Sequence, residues 1–113
     1  MTNWWWGYVH ENDSFHVKRY WDIKDIQEAK EAKASPFCKV VYGPFKARNR
    51  EHASEKLIKL EKIRHCRLHM ASSYKFSIKA LVECNWELSK AYDWIRRYRI
   101  QDYRLESYNF TKY

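Results

Sequence analysis

Apolar and polar residues alternate over residues 4–11 and 14–21, and a period of two predicts a pair of strands. Between them stands Asn12-Asp13, a residue pair that tolerates the left-handed conformations of a two-residue hairpin turn. Pairing about that turn sets Trp4 opposite Trp21, Trp6 opposite Arg19, Tyr8 opposite Val17 and His10 opposite Phe15, the more apolar face and the one expected to be buried. The other face then carries Trp5, Gly7, Val9 and Glu11 beside Ser14, His16, Lys18 and Tyr20. It is mixed aromatic and polar.

Downstream the period changes. Asp22 is a good N-cap for a short helix over Ile23 to Ala34, with Ile23, Ile26 and Ala29 along one side, and Ser35-Pro36 ends it. Phe37 to Tyr42 reads as a third strand, punctuated by Gly43-Pro44. Asn49 caps a longer helix running to about Arg67–His69, with Ala53, Leu57, Leu60 and Arg64 on one stripe and Ile58 and Ile63 beside it. Ser72-Ser73 opens a helix over Tyr74 to Cys84, Asn85 makes a turn, and a last helix follows from Leu88 to about Arg99. Tyr103, Tyr108, Phe110 and Tyr113 follow at irregular spacing, as a tail that docks or binds.

These elements predict an α+β fold: a three-stranded antiparallel sheet with one packed helix, then a long basic helix leading to a helical pair. The sheet region is expected over 1–48 and the helical region over 49–113, joined as one compact unit. With only 2 Gly and 2 Pro in 113 residues, the chain should be folded nearly throughout. Its 20 aromatic rings exceed what one core of this size encloses.

The net charge of +8 is unevenly distributed. Residues 1–36 carry 5 Lys/Arg against 6 Asp/Glu, residues 37–71 carry 9 against 3, and residues 72–113 carry 8 against 5. The middle third is therefore the basic footprint, a surface suited to polyanions or to an acidic protein face. Cys38, Cys66 and Cys84 are an odd set without framework spacing and read as reduced thiols. His65 and His69 fall one helical turn apart, but no Cys-x-x-Cys knuckle accompanies them, so neither a metal nor a cofactor is expected. No apolar run approaches bilayer length, and Trp4-Trp5-Trp6 is too short for the core of a signal peptide, which excludes a membrane partner and makes the cytoplasm the expected location.

The run Lys79-Ala80-Leu81, Glu83, the turn Asn85, Lys90-Ala91 and Trp94-Ile95-Arg96 resembles the ubiquitin-associated (UBA-like) three-helix module, above all the version at the N-terminus of bacterial elongation factor Ts. The resemblant segment extends over 57–99 when the upstream helix is included. Two departures stand out: Trp86 replaces the glycine usual after the turn Asn, and Met70-Ala71-Ser72-Ser73 replaces the loop between the first two helices. The resemblance implies protein docking through a shallow apolar patch, without the family's partner-binding loop. Trp6 to His10 and Gly43-Pro44-Phe45 are similar to stretches of small uncharacterised proteins of bacteria and their phages or mobile elements.

No nucleophile with a base, no carboxylate pair and no glycine-rich phosphate loop is legible, so an enzyme is not expected. The first functional expectation is nucleic-acid binding: Trp5, His16, Lys18 and Tyr20 on an uncovered sheet face, continued by Lys39, Lys46, Arg48 and Arg50, would set stacking platforms beside phosphate-neutralising charge. Single-stranded RNA or DNA suits such a surface best. The second is an adaptor or inhibitor of phage or mobile-element origin, docking through Trp86, Tyr92, Arg96 and Arg97. A second copy of the chain is a third kind of partner. If Trp86 is solvent-exposed the docking reading gains, and if it is buried the sheet does.

Overall fold

A computed structural model describes the backbone of residues 3–111 and the side chains of residues 3–99. Three strands, β1 (Asn3–His10), β2 (Phe15–Arg19) and β3 (Cys38–Ala47), form an antiparallel sheet in the order β2-β1-β3. Four helices accompany them: α1 (Ile23–Ala34), α2 (Arg50–Met70), α3 (Tyr74–Glu83) and α4 (Leu88–Thr111). The α+β fold is thus as expected. The chain divides into two compact units, the first ending at Leu60 and the second starting at Glu61, so the boundary falls within α2 rather than at residue 48.

The hairpin differs from expectation by one residue. Trp5 pairs with Arg19, Trp6 with Lys18, Gly7 with Val17, Tyr8 with His16 and Val9 with Phe15. The cause lies in the turn. His10 N donates to Ser14 O at 2.9 Å and Asp13 N to His10 O at 2.9 Å, so the loop has three residues, Glu11-Asn12-Asp13, with Asp13 in the left-handed region at φ 69°. Asn12 Oδ1 locks it by accepting from Ser14 N at 3.0 Å and Ser14 Oγ at 2.5 Å. Because side chains alternate strictly along a strand, the single extra loop residue moves every β2 side chain to the other face relative to β1.

Both faces of the sheet are consequently used. On one, Trp5 and Val17 pack with Ala47, Ala53 and Leu57, against the first turns of α2. Gly7 makes that approach feasible, because a Cβ there would stand 2.6 Å from His16 O and 2.9 Å from a Leu57 methyl. On the other face Trp6, 1% exposed, and Tyr8 border α1, whose Ala29 is buried and whose Glu28 pairs with Lys18. A central strand covered on both sides reads as a near-continuous apolar run, which is the sequence from Trp4 to Val9.

Helix α1 has the bounds expected, and its capping box is complete: Asp25 N donates to Asp22 Oδ1 at 3.0 Å while Asp25 accepts from the Asp22 N–H. Ile23, expected on its packed side, is instead exposed. Strand β3 runs through Gly43-Pro44 to Ala47 instead of ending at Tyr42. A bulge absorbs the pair: Gly7 faces Tyr42 whereas Trp5 faces Phe45, and Gly43 at φ 120° lies where a Cβ would be 3.0 Å from Trp6 Cα. Asn49 caps α2 by accepting from His52 N at 2.9 Å. Its packed side follows Ala53, Leu57, Glu61, Ile63, Cys66 and Met70, while Ile58 is exposed.

The second unit is helical. Ile63, Cys66 and Met70 from α2 pack with Phe76, Ala80 and Leu81 of α3 and Ala91 and Ile95 of α4, and Trp86, Tyr92, Trp94 and Tyr98 lie half-buried against this cluster. Ser73 caps α3. Ser72 Oγ and Ser77 Oγ, 2.6 Å apart in the core, are satisfied by Cys66 O at 3.2 Å and Ser73 O at 2.7 Å. After α3, Asn85 and Trp86 both have positive φ, 51° and 62°, and Trp86 N returns to Leu81 O at 2.6 Å. Helix α4 extends past Arg99 to Thr111 with Tyr98 out of helical geometry; the side chains of Tyr103, Tyr108 and Phe110, and all of Tyr113, lie outside the described residues. No helix among the described residues is long and apolar enough to cross a membrane.

Candidate nucleic-acid interface

The expected open sheet face does not exist, because α1 and α2 cover one face each, and its residues are dispersed. Trp5 is 5% exposed and its Nε1 donates to Ala47 O at 3.1 Å, so the ring belongs to the core. Lys18 is held by Glu28, whose hydrogen bond raises the lysine pKa above its ordinary value against the opposing effect of desolvation, with a further, smaller lift from the charge of Glu28. His16 stacks on Tyr8 with centroids 4.9 Å apart, and its Nε2 is 2.8 Å from Ser14 Oγ. Tyr20 is half-buried and donates its N–H to Trp4 O at 3.0 Å. Lys39 lies near the hairpin turn, 2.5 Å from Asp13.

Another surface takes that place, at the end of the sheet remote from the hairpin turn. Trp4 is 46% exposed, and the Lys46 ammonium stands 5.1 Å from its ring centre. Trp21 is 52% exposed, with the Arg19 guanidinium 4.6 Å above it. The Trp21 and Trp5 rings meet in a T-shaped arrangement with centroids 6.2 Å apart and planes at 74°, and Arg50 lies 5.6 Å from the Trp5 ring centre. Arg48 is exposed in the adjoining turn before α2. Two accessible indoles, each beside a cation, therefore stand at one end of the sheet, Trp4 with Lys46 on the face that α1 covers and Trp21 with Arg19 beside Trp5 on the face that α2 covers.

The strand chemistry explains why these residues gather. The corrected register sets Trp5 opposite Arg19, and the last residues of β3 bring Lys46 opposite Trp4. Trp21 is fixed from the other side, since its N–H donates to Asp25 Oδ2 at 2.9 Å within the α1 capping box. Trp4, Arg19 and Trp21 are absent from the sequence-based set because the two-residue turn assigned them to the buried face. The i, i+2 spacing of Arg19 and Trp21, a cation and a ring on one side of a strand, is the signal that finds them.

In the helical unit Trp86 is half-buried and packs on the core, and Lys62 Nζ donates to its carbonyl at 2.7 Å. Its ring is not a projecting anchor. Tyr92 is half-buried near His69, with burial raising its phenol pKa, and Arg96 pairs with Asp93 at 2.8 Å on the exposed side, where Arg97 also lies. His65 and His69 stack in parallel at 5.3 Å, and among the described residues no group of three or more His, Cys, Asp or Glu is placed to hold a metal ion. The three cysteines are free, and burial pushes the Cys66 thiol up to about 11, with Cys84 adding to the shift.

No family model matches the chain, and no match emerges among curated proteins or solved structures.

Proposed function

We propose that this protein binds nucleic acid, with single strands favoured, through the end of the sheet that carries Trp4, Trp21, Arg19, Lys46 and Arg48. The observation behind this reading is the pair of exposed indoles, each flanked by a cation at 4.6–5.1 Å. An unstacked base offers a flat π-face to such a ring whatever its identity, while the neighbouring ammonium and guanidinium groups neutralise phosphates. A duplex, whose bases are already stacked, gains only the charge component. No enzymatic step is assigned to the site.

Two further points support the reading. The middle third of the chain holds most of the net positive charge and supplies Lys46, Arg48 and Arg50 to this end of the sheet. Trp86, the best protein-docking anchor on sequence grounds, packs on its own core, which weakens the UBA-like docking alternative.

The test is fluorescence anisotropy of a labelled oligothymidylate and an oligouridylate of about a dozen nucleotides, titrated at several salt concentrations. Affinity should fall steeply with salt. Trp4→Ala and Trp21→Ala should each weaken binding about 5- to 100-fold, the range of one lost base stack, and Arg48→Glu should also flatten the salt dependence. Salt-independent binding, or full affinity in the doubly substituted Trp4→Ala/Trp21→Ala protein, excludes the proposal.

A further inference from the structure

Strand β2 is an outer strand of the sheet, and its free edge is formed in a specific way. The bonds from His10 N to Ser14 O and from Tyr20 N to Trp4 O mark the even-numbered pairs of the β1–β2 ladder as the hydrogen-bonded ones. By alternation, Phe15, Val17 and Arg19 turn their N–H and C=O groups away from β1, outward. The structure bears this out at Val17, whose carbonyl accepts from Arg50 Nη1 at 2.8 Å. A side-chain donor stands where the N–H of a further strand would stand.

That edge lies in a groove of about 570 Å³, floored by Phe15–Arg19 and walled by Asp25 and Glu28 of α1 and by Arg50 and Ser54 of α2. Five residues of strand span roughly 16 Å, enough to seat an extended segment of similar length. Walls on both sides admit one strand, whereas a second copy would bring its own α1 and α2 to the same place. The charge leans positive, with Lys18, Arg19 and Arg50 against Asp25 and Glu28. Both carboxylates of the wall are engaged inside the protein, Glu28 with Lys18 and Asp25 with the backbone N–H of Trp21, while Arg19 and Arg50 face the groove with guanidinium groups that have several donors each. Phe15, 45% exposed, adds an apolar contact at one end.

We infer that the β2 edge is a strand-addition site for an extended acidic peptide segment of a protein partner. The peptide's backbone pairs with Phe15, Val17 and Arg19, its carboxylates meet Arg19 and Arg50, and Arg50 leaves the Val17 carbonyl to the incoming N–H. The β2 edge shares Arg19 and Arg50 with the nucleic-acid site at the end of the sheet but does not use its ring Trp4. Trp4→Ala removes a stacking ring without touching the β2 edge, so peptide binding survives that substitution even if oligonucleotide binding does not.

The probe is an acetylated, amidated heptapeptide of alternating valine and glutamate, with a valine–lysine counterpart and a glutamate version N-methylated at alternate residues. Titrated into 15N-labelled full-length protein, the glutamate peptide should shift the amide resonances of Phe15, Val17 and Arg19 and bind about tenfold or more tightly than the lysine peptide. The N-methylated peptide, which lacks donors along one edge, should lose that binding in the unaltered protein. On the protein side, Phe15→Pro removes an outward N–H that the β1 ladder does not use, and should weaken binding by a similar factor with the circular dichroism spectrum retained. Equal binding of the glutamate and lysine peptides, undiminished binding after methylation, or no shift at these amides up to about millimolar peptide overturns the inference. So does a dimer in sedimentation equilibrium that Phe15→Pro dissociates, since the edge would then belong to a second copy.

Discussion

The two units use tryptophan in different ways. In the sheet unit the described tryptophans split into a buried pair, Trp5 and Trp6, and an exposed pair, Trp4 and Trp21, and the exposed pair stands beside cations. In the helical unit Trp86, Tyr92, Trp94 and Tyr98 close at intermediate exposure around a buried core that includes Phe76, and Trp94 packs on Phe76 at 5.1 Å and Tyr98 at 4.7 Å. Ring content alone therefore says little about binding. What distinguishes a platform from a lid is whether the ring stands exposed beside a cation or packs among core side chains, and strand alternation can present successive tryptophans to different surroundings in a way that a helical stripe does not.

Three measurements press on this contrast. The largest effect belongs to Phe76, fully buried at the centre of the helical cluster: Phe76→Ala should cost about 3–5 kcal/mol in chemical denaturation, because the cavity is ringed by half-buried aromatics that cannot close it. A loss below about 1 kcal/mol would mean that these rings refill the space and that the lid is soft. In the sheet unit the sensitive position is a small residue. Gly7→Ala should cost about 1–3 kcal/mol, since the added methyl meets backbone at His16 O and cannot be accommodated by a side-chain rotation, and a neutral result would show that β2 shifts freely against β1.

The smallest effect is a pH dependence. The buried Cys66 thiol titrates near 11 in the folded protein and near 9 when unfolded, so the folded state holds the proton longer. Its contribution is fully present below pH 9 and is lost as pH rises from 9 through about 11, on the order of 2 kcal/mol by pH 11. Comparing the wild type with Cys66→Ala between pH 8 and 11 isolates it. Parallel stability curves for the two proteins would show that the thiol is solvated and that the helical core is less dry than its packing indicates.

The identity of the elements was legible in the residues, and so was most of the capping. Asp22, Asn49 and the turn at Asn85 are local chemistry, and the helix starts follow from them within a residue, although α4 runs on to Thr111 where about Arg99 was expected. The faces of the sheet were not legible. Asn12-Asp13 fits a two-residue and a three-residue loop equally by composition, and only tertiary packing on both sides of β1 decides between them. Gly43-Pro44 misled for a related reason: the residues that end strands also form bulges when a neighbouring chain, here Trp6, must come close. The candidate site inherited the register, which is why Trp5 was expected outside and Trp21 inside. For the docking residues the difficulty was different, since the left-handed conformation of Trp86 reveals nothing of itself in a list of neighbours.

One helix also guards both rims of the sheet while no partner is bound. From α2, Arg50 reaches the Val17 carbonyl on β2 and Lys56 reaches the Lys46 carbonyl at 2.5 Å on β3, so each outer strand has a cation from the same helix resting on its rim. Part of the chain's excess positive charge is thus stationed against uncontrolled stacking of one molecule onto the next, and high salt or charge-neutralising lysine modification should make this protein more prone to fibril-like self-assembly as well as less able to hold an anion.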